Sequence, residues 1–75
     1  MTPPPSFRPR VSINGEDRPL AGARVVDLLQ ALGIDPTRRG VAVAINGTVA
    51  PRSAWTDALL RGGEDIEIVR PLQGG

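Results

Sequence analysis

The chain is predicted to be an α+β protein, with a mixed sheet of about four to five strands packed on one main helix plus a short helix. Two observations predict this class. Short segments with alternating apolar residues occur near the start, in the middle and near the end, and one segment between the first two has apolar residues at helical spacing. An amphipathic helix lying across a sheet is the economical way to bury both apolar faces in 75 residues.

The first predicted element is a β-hairpin. Val11 and Ile13 alternate with polar neighbours, and Asn14-Gly15 follows them. Asn and Gly tolerate the positive φ angles that a two-residue hairpin turn requires. We therefore expect a short return strand around Arg18 to Leu20.

The main helix is predicted from Val25 onward. Apolar residues fall at i, i+3, i+4 and i+7 on one helical face, namely Val25, Leu28, Leu29 and Leu32. Gly33 fits the left-handed residue that often ends a helix. The start is less well defined, because Gly22 and Ala23 stand where Ser, Thr or Asp would cap better.

The second half of the chain alternates again at Val41, Val43 and Ile45, and Asn46-Gly47 marks a second turn. Residues 52–61 are predicted to form a short helix whose inward side chains are Trp55, Leu59 and Ala58. The last strand is predicted around Ile66 and Ile68.

Three regions are expected from this pattern. Residues 1–9 contain four of the eight prolines and are predicted to be a mobile arm. Residues 10–70 form the folded domain. Residues 71–75 are predicted to be a flexible tail, because Pro71 lacks the N–H that would continue the strand ladder.

The composition argues against catalysis, nucleic acid and membranes. The sequence has no histidine, cysteine, lysine or tyrosine, so the commonest bases and nucleophiles are missing and no enzyme activity is expected. Nine arginines and eight acidic residues are spread along the chain, which gives no basic stripe. No apolar run approaches the ~20 residues of a membrane span. We expect a cytoplasmic protein that is a monomer alone.

The tail is the specialised part of the sequence. Gly74 and Gly75 have no Cβ, so their backbone can pass through a channel that side chains would block. The carboxylate of Gly75 is a poor electrophile until a leaving group is attached. ATP could supply that group through an acyl-adenylate, which a sulfur nucleophile could then attack. Partner enzymes would have to carry out both steps.

From about Val11 to Gly75 the chain resembles the ThiS family, the sulfur-carrier proteins of thiamine (thiazole) biosynthesis with a ubiquitin-like β-grasp fold. The resemblance rests on segments spread along the chain: Val25-Val26-Asp27-Leu28-Leu29, Val43-Ala44-Ile45-Asn46, Pro51-Arg52, Trp55, Ile66-Glu67-Ile68-Val69 and Gln73-Gly74-Gly75. The chain departs from the family pattern in its proline-rich arm, its missing Thr or Ser helix cap, and Glu64 in place of the usual Asp.

The resemblance implies a function and a set of partners. A ThiF-like adenylyltransferase would use ATP to adenylate Gly75, and a cysteine desulfurase system would supply sulfur for a thiocarboxylate. A ThiG-like thiazole synthase would then take the sulfur. Gly74, Gln73 and Leu72 would be recognised in the partner's channel, and the chain itself would bind no cofactor and no metal.

Other functions share parts of this pattern. A molybdopterin-type sulfur carrier has the same fold and tail, although the Pro-Arg-x-x-Trp segment at 51–55 favours the thiazole system. A ubiquitin-like protein modifier also ends in Gly-Gly. A β-grasp module that only binds would not need a free Gly-Gly end.

Overall fold

The computed structural model describes residues 9–20 and 22–71, and it confirms an α+β fold built on a mixed sheet. The predicted arm, apart from Pro9, and tail residues 72–75 lie outside the described residues. The elements are β1 (Arg10–Ile13), β2 (Glu16–Pro19), α1 (Val25–Ala31), β3 (Ala42–Ile45), β4 (Thr48–Ala50), a 3-10 helix (Arg52–Ala54) and β5 (Asp65–Val69). Across these two ranges no helix is both long and apolar enough to cross a membrane.

The last strand of the chain lies in the centre of the sheet. The strand order is β2-β1-β5-β3-β4, so β5 separates the two hairpins. It runs parallel to β1, where Ile13 is opposite Ile66, and antiparallel to β3, where Ala42 is opposite Val69. The predicted tail therefore follows the central strand of the sheet, which is paired on both sides.

Both predicted turns are confirmed by their backbone angles. Asn14 and Gly15 have φ angles of 51° and 84°, and Asn46 and Gly47 have φ angles of 52° and 82°. Positive φ at both central residues suits the right-handed twist of a hairpin. The second turn leads into β4, which completes the five strands.

Helix α1 buries the predicted face. Val25, Leu28 and Leu29 are at most 2% exposed, whereas Leu32 follows the last helical residue and is half-buried. At the start, the Asp27 carboxylate accepts hydrogen bonds from the backbone N–H groups of Arg24 (3.1 Å) and Ala23 (3.3 Å). An acidic side chain in the first turn thus bonds the residues that lead into the helix, which is the N3 half of a capping box, and its charge suits the N-terminal end of the helix dipole.

A single apolar cluster joins the helix to the sheet. Its buried members come from α1, from alternate strand positions and from two loops: Val11, Ile13, Val25, Leu28, Leu29, Ile34, Val41, Val43, Trp55, Leu60, Ile66 and Ile68. Trp55 is 2% exposed and belongs to this core, as its size suggests.

The prediction of a helix over 52–61 is wrong after its first turn. The 3-10 helix ends at Ala54, and beyond Asp57 the chain runs extended beside the start of α1. Ala58 C=O accepts from Val25 N–H (3.1 Å), and Leu60 N–H donates to Ala23 C=O (2.9 Å).

Extended backbone alternates its side chains, and this decides which leucine is buried. Leu60 enters the core at 7% exposure, Leu59 points outward at 59%, and Ala58 is half-buried. The expectation that Leu59 faces inward is therefore corrected in favour of Leu60.

Candidate functional site

The structure describes the base of the predicted carrier tail and not its tip. Arg70 and Pro71, here called the tail base, follow β5 directly; Arg70 is exposed and Pro71 is half-buried. The predicted site residues Leu72, Gln73, Gly74 and Gly75 lie outside the described residues. The geometry of the site is therefore the geometry of the residues that hold β5 and the tail base.

Two turn asparagines hold β5. The Asn14 side-chain amide accepts from Ile68 N–H (2.8 Å) and donates to Ile68 C=O (3.1 Å). At the other end of the strand, Asn46 accepts from Asp65 N–H through its side chain (2.9 Å) and donates to Asp65 C=O through its backbone (2.7 Å). Both ends of the strand that precedes the tail are thus bonded to a hairpin turn.

The tail base rests on the segment before β3. Gly40 has a φ of 87°, and a Cβ placed on it would lie 3.3 Å from Pro71 Cβ and 3.5 Å from Pro71 Cδ and Cγ. A side chain at this position would be strained by the backbone angle and would also press on the proline ring. The absence of a side chain at residue 40 allows the ring to approach closely.

Arg52 binds the same segment. Its guanidinium donates to the carbonyls of Pro36, Arg38 (2.7 Å) and Val41 (3.4 Å). The guanidinium carbon lies 4.6 Å from the centre of the Trp55 ring, and the Trp55 indole N–H donates to Ala50 C=O (2.9 Å). The Pro-Arg-x-x-Trp pattern therefore encodes a clamp on the loop that leads into β3.

Two grooves flank Arg70. The larger, of about 420 Å³, lies between the first hairpin and the end of α1, and its polar lining is Asn14, Glu16, Arg18 and Arg70. The smaller, of about 110 Å³, is lined partly by Asp35, Arg38, Arg70 and Pro71. Each groove thus brings one further arginine and one acidic residue close to Arg70.

Asp35 is the acidic group of the smaller groove. The Thr37 hydroxyl and N–H both donate to its Oδ1, at 2.7 and 2.9 Å, and these bonds hold the pKa of Asp35 below its ordinary value. Nearby Arg38 and Arg52 lower the pKa further. Asp35 is therefore an anion that orders the turn.

An apolar patch lies on the sheet surface opposite the helix, next to the exposed Glu67 of β5, which pairs with Ala44. We call it the exposed sheet face and define it by Ala42, Ala44, Val49 and Val69. Val49 and Val69 are 70% and 62% exposed. Register brings the four together, because Ala42 pairs with Val69 and Ala44 pairs with Val49. Large exposed apolar patches commonly mark interaction sites.

The described residues offer little chemistry of their own. Among residues 9–20 and 22–71 there is no buried polar or charged residue and no group of three His, Cys, Asp or Glu side chains that could hold a metal ion. The arrangement can hold β5 and the tail base in place.

Sequence reasoning missed three parts of this arrangement. It assigned Asn14 and Asn46 to turns only, used Arg52 only as part of a family pattern, and did not connect Gly40 with Pro71. The three-residue spacing of Arg52 and Trp55 was an available signal, since it places the two side chains on one face of a helical turn. No sequence signal connects residue 14 with residue 68, which are far apart in the chain.

The chain is similar to known proteins both in sequence and in structure. The sequence model of the ThiS family matches residues 11–75. The sulfur carrier protein ThiS of Thermus thermophilus is 37% identical over 65 residues, which cover 87% of this chain and 98% of that protein. The sulfur carrier protein ThiS of Escherichia coli is 34% identical over 55 residues, covering 73% of this chain and 80% of that protein.

Two further relatives are informative. A thiazole synthase of Paramagnetospirillum magneticum is 36% identical over 67 residues, which cover 88% of this chain but only 20% of that protein. The crystal structure of a thiamine biosynthesis protein (ThiS) from Geobacter metallireducens superposes with a TM-score of 0.70 at 29% identity, covering 88% of this chain and 99% of that one. The chain therefore belongs to the ThiS family, the sulfur carriers of thiamine biosynthesis.

Proposed function

We propose that the chain carries sulfur as a thiocarboxylate on Gly75. The observation that supports this most directly is the extent of the family match, which spans residues 11–75 and so includes Gly74-Gly75. The central position of β5 also supports the proposal. The tail follows a strand that is paired on both sides, so the folded domain anchors the segment that would carry the sulfur.

The proposed chemistry has three steps. The Gly75 carboxylate attacks the α-phosphorus of ATP, which gives an acyl-adenylate and releases pyrophosphate. The terminal sulfur of a protein persulfide attacks the acyl carbon, AMP leaves, and an acyl disulfide forms. A thiol then attacks the sulfur of the donor cysteine in this acyl disulfide, so that a disulfide forms between the thiol and that cysteine, and the thiocarboxylate is left on Gly75.

The chain contributes the acyl group and its presentation, and the partners contribute the catalysis. The sequence has no histidine or cysteine that could activate ATP or carry the persulfide. We therefore infer that it is a carrier and not an enzyme, that it binds no cofactor itself, and that ATP is bound by a ThiF-like adenylyltransferase. A cysteine desulfurase system would supply the persulfide.

A ThiG-like thiazole synthase is the proposed sulfur acceptor. One fifth of a thiazole synthase chain is similar to nearly the whole of this protein. A carrier-like segment within the synthase's own polypeptide supports transfer of sulfur between the two kinds of domain. The molybdopterin alternative has no corresponding support.

The exposed sheet face is the proposed docking surface for the activating enzyme. Its apolar side chains lie on the opposite side of the sheet from the buried core, and Val69 is only two residues from Pro71. A body bound through this surface would leave Leu72, Gln73 and Gly74 free to enter a narrow channel. Glycine at position 74 keeps that entry slim.

Intact-mass analysis tests the proposal. The protein is incubated with its activating enzyme, ATP and a persulfide donor, and the C-terminal peptide is then sequenced by mass spectrometry. We expect exchange of one oxygen for one sulfur at Gly75, and no exchange in a control that lacks Gly75. An isopeptide adduct to another protein would instead identify a modifier, and an unchanged mass would refute the carrier role.

A further inference from the structure

We propose that Arg52 is a positioning residue for the acyl-transfer chemistry, because it fixes the loop on which the tail base rests. The inference depends on the proposed role of Gly75. It concerns a residue that lies outside the tail and outside the exposed sheet face.

The first step is the grip of Arg52 on the loop. Its three carbonyl acceptors belong to Pro36, Arg38 and Val41, so they lie before and after Gly40. A guanidinium offers five N–H donors in a planar fork, and this shape allows one side chain to bind several carbonyls at once. The loop is consequently tied to the 3-10 helix that carries Arg52.

The second step is the support of the guanidinium itself. It lies 4.6 Å from the centre of the Trp55 ring, within the range of a cation–π interaction. Trp55 is 2% exposed and its indole N–H is bonded to Ala50 C=O, so this ring is part of the rigid core. Arg52 therefore connects the exposed loop to the buried core, because it bonds the loop carbonyls and packs on the Trp55 ring.

The third step is the contact between the loop and the tail base. Gly40 lies within the loop that Arg52 binds, and its backbone faces the Pro71 ring closely enough that a Cβ would sit 3.3 Å from Pro71 Cβ. The proline ring also fixes its own φ angle. The surface of the loop thus fixes the position of the Pro71 ring, from which the chain continues.

The position of the tail base matters because the reacting atom is nearby along the chain. Residues 72–75 can span at most ~13 Å, at ~3.3 Å per residue. Reacting atoms must approach to about 3–3.5 Å, and a misplacement of about 1 Å can cost about 10²-fold in rate. When these four residues are extended in the partner's channel they have no slack, so a shift of Pro71 would displace the Gly75 carboxylate and lower the rate of adenylation without changing the docking surface.

The test compares Gly40→Ala with Gly47→Ala. Both residues have nearly equal positive φ angles, 87° and 82°, so both variants impose similar backbone strain. A Cβ at Gly47 would meet no atom within 4 Å, whereas a Cβ at Gly40 would meet the Pro71 ring. We expect similar falls in melting temperature, but only Gly40→Ala should lower kcat in ATP–pyrophosphate exchange, by about tenfold with KM unchanged.

Arg52 itself is tested with Arg52→Lys and Arg52→Gln. Neither replacement has the planar fork, so we expect both to lower kcat with little change in KM. In the Gly40→Ala and Pro71→Gly pair, the double variant should lose no more activity than Pro71→Gly alone, because glycine has neither the Cβ nor the ring that the new methyl group would meet. Equal kcat values for Gly40→Ala and Gly47→Ala would overturn the proposal.

An NMR measurement on the isolated protein separates this inference from the carrier role. The nuclear Overhauser effect between the Gly40 Hα and the Pro71 ring should be present in the parent and in Gly47→Ala, and lost in Arg52→Gln. Its persistence in Arg52→Gln would overturn the link from Arg52 to the tail base. Absence of exchange in the parent chain would refute the proposed function instead.

Discussion

Asn14 pairs with Ile68 through its side-chain amide as a backbone residue would. The amide oxygen accepts from Ile68 N–H at 2.8 Å and the amide nitrogen donates to Ile68 C=O at 3.1 Å. The parallel ladder between β1 and β5 is thereby extended beyond the residue where β1 turns away. On the side that faces β1, β5 is therefore hydrogen-bonded as far as Ile68, its penultimate residue.

Asn14→Gly should destabilise the protein by about 1–3 kcal/mol, the net value of two hydrogen bonds and of the groups left unpaired. Glycine accepts the positive φ of this turn, so the substitution removes the amide without straining the backbone. Urea denaturation measures the change in the free energy of unfolding. A change below a few tenths of a kcal/mol would show that water replaces the amide fully.

Leu28→Ala should destabilise the fold by about 2–5 kcal/mol, because Leu28 is only 2% exposed and its removal leaves a cavity. Leu32→Ala should cost less, since Leu32 is only half-buried. Leu59→Ala serves as the control at an exposed leucine. Thermal unfolding ranks the loss of stability in the three variants. A larger loss for Leu59→Ala than for Leu28→Ala would contradict the assignment of the core.

The pKa of Asp35 should depend on Thr37. The bonds from Thr37 lower the pKa of the folded state, so their stabilising contribution is present above the unfolded pKa of about 3.9 and is lost as the pH falls through the folded value. Thr37→Val should raise the pKa of Asp35 toward its ordinary value, as followed by NMR titration. Thr56→Val is the control, and an equal shift in that variant would refute the local cause.

Val69→Glu should weaken binding to the activating enzyme while leaving the fold intact, because Val69 is 62% exposed and lies in the exposed sheet face. A tenfold rise in KM would correspond to ~1.4 kcal/mol of lost binding. Leu59→Glu is the matched control, since it places the same charge on an exposed apolar residue outside this face. Equal exchange kinetics for both variants would exclude the sheet face as the docking surface.

Gly74→Val should abolish adenylation with no change in melting temperature. A β-branched side chain cannot follow a path shaped for glycine, whereas Gly74→Ala adds only one methyl group and should retain part of the activity. ATP–pyrophosphate exchange with the activating enzyme ranks the parent and the two variants. Parental exchange by Gly74→Val would mean that the partner's channel is wide at this position.

Much of the fold was predictable because its determinants are local. The apolar spacing of Val25, Leu28 and Leu29 predicts the buried helix face, and the two Asn-Gly pairs predict the hairpin turns. In each case a few neighbouring residues carry the whole signal. The structure confirms these elements.

The burial of Leu60 in place of Leu59 was not predictable in the same way. It depends on backbone hydrogen bonds to Ala23 and Val25. These bonds hold residues 58–60 in an extended conformation, although their sequence spacing is compatible with a helix. The link from Arg52 to Pro71 has the same character, since it passes through a loop whose shape is set by tertiary contacts. Local propensity does not encode such contacts.

The central place of β5 also decides when the domain can fold. Before residues 65–69 have been synthesised, the hairpin β1–β2 and the hairpin β3–β4 have no strand between them, and an isolated hairpin is marginally stable in water. The parallel pairing of β1 with β5 can form only after β5 has left the ribosome. The nascent chain therefore completes its sheet only when β5, the strand that leads to the tail, pairs between the two hairpins.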